Sequence, residues 1–202
     1  AGVAQGYVVE NDQLLICAFR GTDSIADWLA SLNIATGLVS FGSAHRGFYH
    51  AFRPVAPLVT GCAQRAQNKG QKFWLTGHSF GGALAQIGAQ ENWRLNDSMG
   101  LFTFGQPRTA NVADNDVLTE VLGLDYHRVV NGIDYVPRVP ANIGHSGRLV
   151  RVGHTREFAV EGNLETAPGG VLPDGVADRD ALPPVPLDEF FEQQRQIKAS
   201  KA

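Results

Sequence analysis

Short apolar runs alternate along the chain with longer stretches of helical period. Tyr7-Val8-Val9-Glu10 and Leu14-Leu15-Ile16-Cys17-Ala18-Phe19-Arg20 are β-type runs parted by the turn pair Asn11-Asp12, which predicts a hairpin. The second run is apolar almost throughout, as a strand covered on both faces is. Ile25, Trp28, Leu29 and Leu32 then share one helical face at spacings of three, four and seven, with Asp23 or Ser24 to cap the start. Residues 37–44 read as a Gly/Ser-rich loop, and a helical pattern runs from 45 to about 68, where Lys69-Gly70 stops it. Residues 72–76 predict a short buried strand, followed from Phe80 by a helix rich in small residues that ends between Trp93 and Asn96.

The second half continues in the same manner. Residues 100–104, 126–130, 149–152 and 157–160 predict strands, and residues 111–122 a modest helix. Residues 161–186 are rich in Gly, Pro and Asp and read as irregular, while Phe190, Phe191 and Ile197 mark residues 187–198 as a terminal helix. Strand, helix, strand, helix, strand around residue 79 argues for βαβ units and a mostly parallel sheet. A chain of 202 residues without internal repeats is most simply one domain, 1–202.

Composition narrows the function classes. A hydrophobic content of 44%, a charged content of 18% and a net charge of −3 describe a globular protein with no basic field for nucleic acid. No apolar run approaches the roughly 20 residues of a membrane-spanning helix, so contact with a membrane would be made at its surface. Cys17 and Cys62 form neither a disulfide framework nor a zinc pattern, and read as two buried free thiols. They give a slight lean toward the cytoplasm in a localisation otherwise unreadable. The chain opens Ala1-Gly2-Val3 without a signal-peptide pattern, which suggests a trimmed start. His45 and His50 lack a second ligand at metal spacing and read as structural, and no metal is implied.

The candidate chemistry centres on Gly77-His78-Ser79-Phe80-Gly81, a G-x-S-x-G pattern lying between a strand and a helix. In that setting the serine occupies a nucleophile elbow, and the glycines let the strand and helix backbones pass closely around it. Asp134 follows the strand at 126–130 in Asn131-Gly132-Ile133-Asp134, downstream of Ser79 in the order serine, acid, histidine. The apolar stripe of Ile25, Trp28, Leu29 and Leu32 suits either a surface helix packed on the core or a short amphipathic lid over an active site.

These pieces together resemble the class 3 lipases, the α/β-hydrolase family of fungal-type triacylglycerol lipases. The resemblance rests on Phe19-Arg20-Gly21-Thr22 with Asp27-Trp28, His45-Arg46-Gly47-Phe48, Gly77-His78-Ser79-Phe80-Gly81-Gly82, Thr103-Phe104-Gly105-Gln106-Pro107-Arg108 and Val130-Asn131-Gly132-Ile133-Asp134-Tyr135-Val136-Pro137, in family order from about 7 to 152. It implies an α/β-hydrolase with a mostly parallel central sheet and helices on both faces. It further implies Ser79 as nucleophile, Asp134 as triad acid, and Thr22 with the backbone N–H of Phe80 as oxyanion hole. The segment from 24 to about 34 becomes the lid. The expected activity is hydrolysis of carboxylic esters such as glycerolipids through an acyl-serine, with no cofactor and with contact at a lipid–water interface.

The departure from the pattern is the base. A serine hydroxyl needs one to take its proton, and histidine is the usual choice. Where the family places that histidine, this chain reads Leu187-Asp188-Glu189, and no histidine follows His154. His154 is the preferred substitute, because a strand at 149–152 parallel to the one before Asp134 would end on the active-site side. His145, Glu189 and a base on a missing C-terminal piece remain open. The rival reading is a lipase-fold binding module without a working triad.

Overall fold

A computed structural model of the chain describes residues 4–22, 36–39, 42–110, 118, 125–132, 134–140, 143–152 and 158–161. The expected helices at 25–32 and 187–198, and all but one residue of that at 111–122, lie outside the described residues.

The hairpin forms as expected. Strands β1 (Gly6–Glu10) and β2 (Leu14–Phe19) pair antiparallel, with Asn11 Oδ1 accepting the N–H groups of Gln13 and Leu14 at 2.9 Å each to hold the turn. The segment expected to be a loop instead carries a small antiparallel pair, β3 (Thr36–Val39) and β4 (Gly42–His45). Backbone hydrogen bonding holds that pair, so Gly and Ser gave no alternating pattern by which to see it. The long helical pattern is also divided. Helix α1 (Arg46–Phe52) meets a 3-10 turn at Arg53–Val55 before α2 (Ala56–Lys69), because Pro54 has no N–H to continue the ladder. Gly70 closes α2 in the left-handed region, at φ 66°.

Next come β5 (Lys72–His78), α3 (Phe80–Asn92), β6 (Met99–Phe104), β7 (Tyr126–Asn131), β8 (Arg148–Val152) and β9 (Phe158–Glu161). The main sheet has seven strands in the order β1-β2-β5-β6-β7-β8-β9. Neighbours from β2 to β8 run parallel, and the edge strands β1 and β9 run antiparallel to their partners. An order that advances in one direction through right-handed crossovers sends its connecting helices to one face. Accordingly α1, α2 and α3 lie together, over Leu15, Cys17, Phe19, Phe73 and Leu75, with Phe48 and Phe52 fully buried in the shared core. Helix α3 is buried along most of its length, and small residues bring it close: a Cβ on Gly88 would stand 3.0 Å from Leu75 Cδ2 and 3.3 Å from Phe52 Cε2. Because β2, β5, β6 and β7 are parallel, their carboxyl ends open at one edge, where such sheets place ligands.

Candidate active site

Ser79 stands at the carboxyl end of β5 with φ 54° and ψ −120°, the one non-glycine residue of positive φ among the described residues. A side chain held there costs about 1–3 kcal/mol, and the surroundings must enforce it. Its N–H donates to Phe104 O at 2.8 Å, while its carbonyl accepts from Gly82 N at 2.9 Å and Ala83 N at 3.2 Å. The serine is thus tied to β6 on one side and begins α3 on the other. Glycine is required around it: a Cβ on Gly77 would meet the Gly81 backbone, and one on Gly81 would meet Phe19 O and stand 2.8 Å from Arg20 O. The hydroxyl is buried and has no hydrogen-bond partner among the described residues.

Asp134 lies just beyond β7. Its N–H donates to Asn131 O at 3.0 Å, and its Oδ1 accepts from Val136 N at 3.0 Å, which orients the carboxyl. The other oxygen points over Gly105, where a Cβ would stand 2.7 Å from Asp134 Oδ2 and 3.6 Å from His78 Nε2. Gly105 follows Phe104, the residue that accepts the Ser79 N–H, so Ser79 and Asp134 both border the Phe104–Gly105 unit of the β6 loop. Burial pushes the Asp134 carboxyl above its usual range, opposed by the Val136 N–H and by the nearby His78 and Arg138 side chains.

His78 lies beside this pair, a position that the sequence alone did not indicate. With Gly77 turned toward α3, strand alternation sends the His78 side chain to the opposite face of the sheet, where it is exposed. There it borders Gly105 on one side and Gly21 on the other, since a Cβ on Gly21 would stand 3.4 Å from His78 Nδ1. The signal was its place in the serine motif, but only the tertiary arrangement brings it beside Asp134. Thr22 is half-buried on the loop after β2, next to Gly21, and Phe80 opens α3 with its ring 5.8 Å from that of Phe48.

The other sequence candidates separate clearly. His145 Nε2 lies 2.5 Å from Pro137 O, behind the 3-10 turn Val136–Arg138 that supports Asp134. Burial, reinforced by Arg128, holds its pKa well below the ordinary value, while the Pro137 carbonyl acts in the opposite direction. His45 caps α1, its Nδ1 accepting from Gly47 N at 3.1 Å, and His50 is exposed. Strand β8 is parallel to β7, which meets the condition set for His154. His154, Glu189 and the lid residues Ile25, Trp28, Leu29 and Leu32 lie outside the described residues. Among the described residues no group of three or more His, Cys, Asp or Glu is arranged to hold a metal, and no helix is long and apolar enough to cross a membrane.

Beneath the site runs a buried polar network. Gln106 Nε2 donates to Gln86 Oε1 of α3 and to Thr109 Oγ1 at 3.2 Å, and Tyr126 OH of β7 donates to Gln106 Oε1 at 3.3 Å. A Cβ on Gly82 would stand 3.1 Å from Gln106 Cβ, so this network touches the first turn of the elbow helix.

A family model described as lipase (class 3) matches residues 16–143. A secreted mono- and diacylglycerol lipase of Fusarium solani is 32% identical over 131 residues, covering 62% of this chain and 39% of that protein. A lipase of Rhizomucor miehei is 31% identical over 150 residues, covering 69% of this chain and 40% of its own length. A solved triacylglycerol lipase, whose catalytic centre is described as a serine-protease triad, superposes at a TM-score of 0.66 with 28% identity over 74% of this chain and 62% of its own. The sheet and its elbow are therefore those of the α/β-hydrolase fold. The chain spans about two fifths of the length of the two curated relatives. The Fusarium relative is a secreted protein, which runs against the cytoplasmic lean drawn from two thiols alone.

Proposed function

Because the chain belongs to the class 3 lipase family, we propose that it is a serine carboxylic ester hydrolase acting on acyl esters such as glycerolipids. The observation that carries this is the strained Ser79, tied through its N–H to Phe104 O, with Asp134 Oδ2 over the adjoining Gly105. In the reaction Ser79 Oγ attacks the acyl carbonyl carbon and its proton passes to the base. The oxyanion that forms is held by Thr22 and by the Phe80 N–H; in a comparable hydrolase a single such donor is worth roughly 2.7–4 kcal/mol. The base returns the proton to the departing alcohol, and water then cleaves acyl-Ser79 by the same steps in reverse roles.

His154 is the proposed base. The support is its position two residues past the end of β8, which runs parallel to β7 and so ends at the edge that carries Asp134. Residues 24–34 serve as the lid, turning Ile25, Trp28, Leu29 and Leu32 toward a lipid surface. Residues 1–202 are read as one such domain, working without a cofactor.

Hydrolysis of a chromogenic short-chain ester tests the proposal with wild type, Ser79→Ala and His154→Ala. Wild type is expected to turn over at least ten-thousandfold faster than either variant, in line with the roughly 10⁴–10⁶ losses of triad deletions. Wild-type turnover no better than Ser79→Ala supports instead a binding module that keeps the fold without a working triad. Full activity in His154→Ala removes that base alone.

A further inference from the structure

The imidazole of His78 is set between two loops that flank the elbow. On its Nδ1 side lies the loop after β2, where a Cβ on Gly21 would stand 3.4 Å from Nδ1 and 2.9 Å from the His78 carbonyl oxygen. On its Nε2 side lies the loop after β6, where a Cβ on Gly105 would stand 3.6 Å from Nε2, 3.8 Å from Cδ2 and 2.7 Å from Asp134 Oδ2. The ring edge and the carboxylate oxygen therefore share the space that a side chain at residue 105 would need. The two oxygens of Asp134 have different neighbours. Oδ1 accepts the Val136 N–H at 3.0 Å, while Oδ2 lies over Gly105 together with the nitrogen-bearing edge of His78.

Resting on the reading of this site as a serine ester hydrolase, we propose that His78 is a positioning residue, which orients the Asp134 carboxylate toward the base and fixes the acid loop against the loop that carries Thr22. A carboxyl group turns about its last carbon–carbon bond unless both oxygens are constrained. The Val136 N–H constrains one, and a donor at His78 Nε2 constrains the other. Contacts of this kind are often long in an unliganded enzyme and tighten when substrate binds. Placement matters because an error of about 1 Å in a reacting group can cost about 10²-fold in rate. His78 also opposes the effect of burial on Asp134, as the Val136 N–H and Arg138 do. Among the described residues, His78 from β5 and Arg138 from the 3-10 turn are the charged or titratable groups that act on this carboxyl. A change at His78 therefore leaves Arg138 as a fixed reference.

Two substitutions at this exposed position test the proposal. His78→Phe keeps a ring and removes both nitrogens, whereas His78→Gln places an amide nitrogen near the site of Nε2. On a chromogenic short-chain ester, His78→Phe should lose kcat by about tenfold to a hundredfold with KM unchanged, and His78→Gln should recover most of the loss. A second readout needs no turnover. The gain in urea midpoint that Asp134→Asn brings should level off at a higher pH in the His78→Phe background than in wild type, because the carboxyl without His78 keeps its proton to higher pH. A kcat in His78→Phe equal to wild type, a His78→Gln no better than His78→Phe, or a levelling-off that does not move overturns the proposal. Wild-type turnover no better than Ser79→Ala removes the hydrolase reading instead, and the stability measurement still decides whether His78 governs the Asp134 carboxylate.

Discussion

Asp134 bears two demands at once. In the proposed role of triad acid it must be ionised to hold an imidazolium, yet it is buried deeply enough that burial is the largest influence on its carboxyl. A folded-state pKa raised above the ordinary 3.8 means the unfolded chain gives up its proton first as pH rises. Stability therefore falls from about that pH through the raised value and levels off beyond it. Asp134→Asn keeps an oxygen for the Val136 N–H and removes the titration. We expect the variant to match or exceed wild type in urea midpoint at neutral pH, with its relative advantage growing from acidic to neutral conditions, while kcat drops by roughly 10⁴. A variant that loses activity and stability together at neutral pH would show that the carboxylate supports the fold. The proposed roles of Ser79 and Asp134 could be drawn from the sequence because turn chemistry and chain order are local or ordinal properties. The place of His78 beside Asp134 could not, because it arises only when the β6 loop brings Gly105 and Asp134 against it.

Two glycines show how different demands produce the same residue in neighbouring elements. Gly70 ends α2 at φ 66° with nothing within 4 Å of its missing Cβ, so only backbone conformation asks for glycine there. Gly70→Ala should cost about 1–2 kcal/mol, the ordinary penalty of a left-handed L-residue, and leave kcat unchanged. Gly81 sits in α3, and its missing Cβ would collide with the Phe19 and Arg20 carbonyls of the adjoining chain. Because those atoms are backbone, Gly81→Ala must displace either the elbow or the loop leading to Thr22, so kcat should collapse even where soluble protein is recovered. Denaturant midpoints and ester turnover on the two variants measure the contrast; equal effects on turnover would contradict it. The same distinction governs what the sequence reveals at this scale. Helix α3 and strands β2, β5 and β6 declare themselves through apolar pattern, whereas the β3–β4 pair is held by backbone bonds that leave no such trace. The break at Pro54 falls inside a stretch whose helical period continues on either side of it.

Across the whole molecule, the proposed catalytic edge is assembled from strands that meet only in the folded sheet, and something must fix their mutual positions. The Gln106 network does so, linking α3 through Gln86, the β6 loop through Thr109 and β7 through Tyr126 in a region shut off from water. Inside a core, a polar group deserted by its partner costs about 1–3 kcal/mol, whereas removing both partners together can cost little. Gln106→Leu takes a partner from Gln86, Thr109 and Tyr126 at once, and Gln86→Leu takes one from Gln106. The double variant should therefore be more stable than the sum of the single effects allows, with a coupling of about 0.5–3 kcal/mol in a urea-denaturation cycle. Gln106 also lies under Gly82 and follows Gly105, between the elbow helix and the acid. Its loss should lower kcat more than it raises KM, since it loosens the placement of Ser79 against Asp134 and touches no substrate. Strict additivity in stability, or an effect confined to KM, would mean that these buried side chains merely fill space and that the edge is held by the sheet alone.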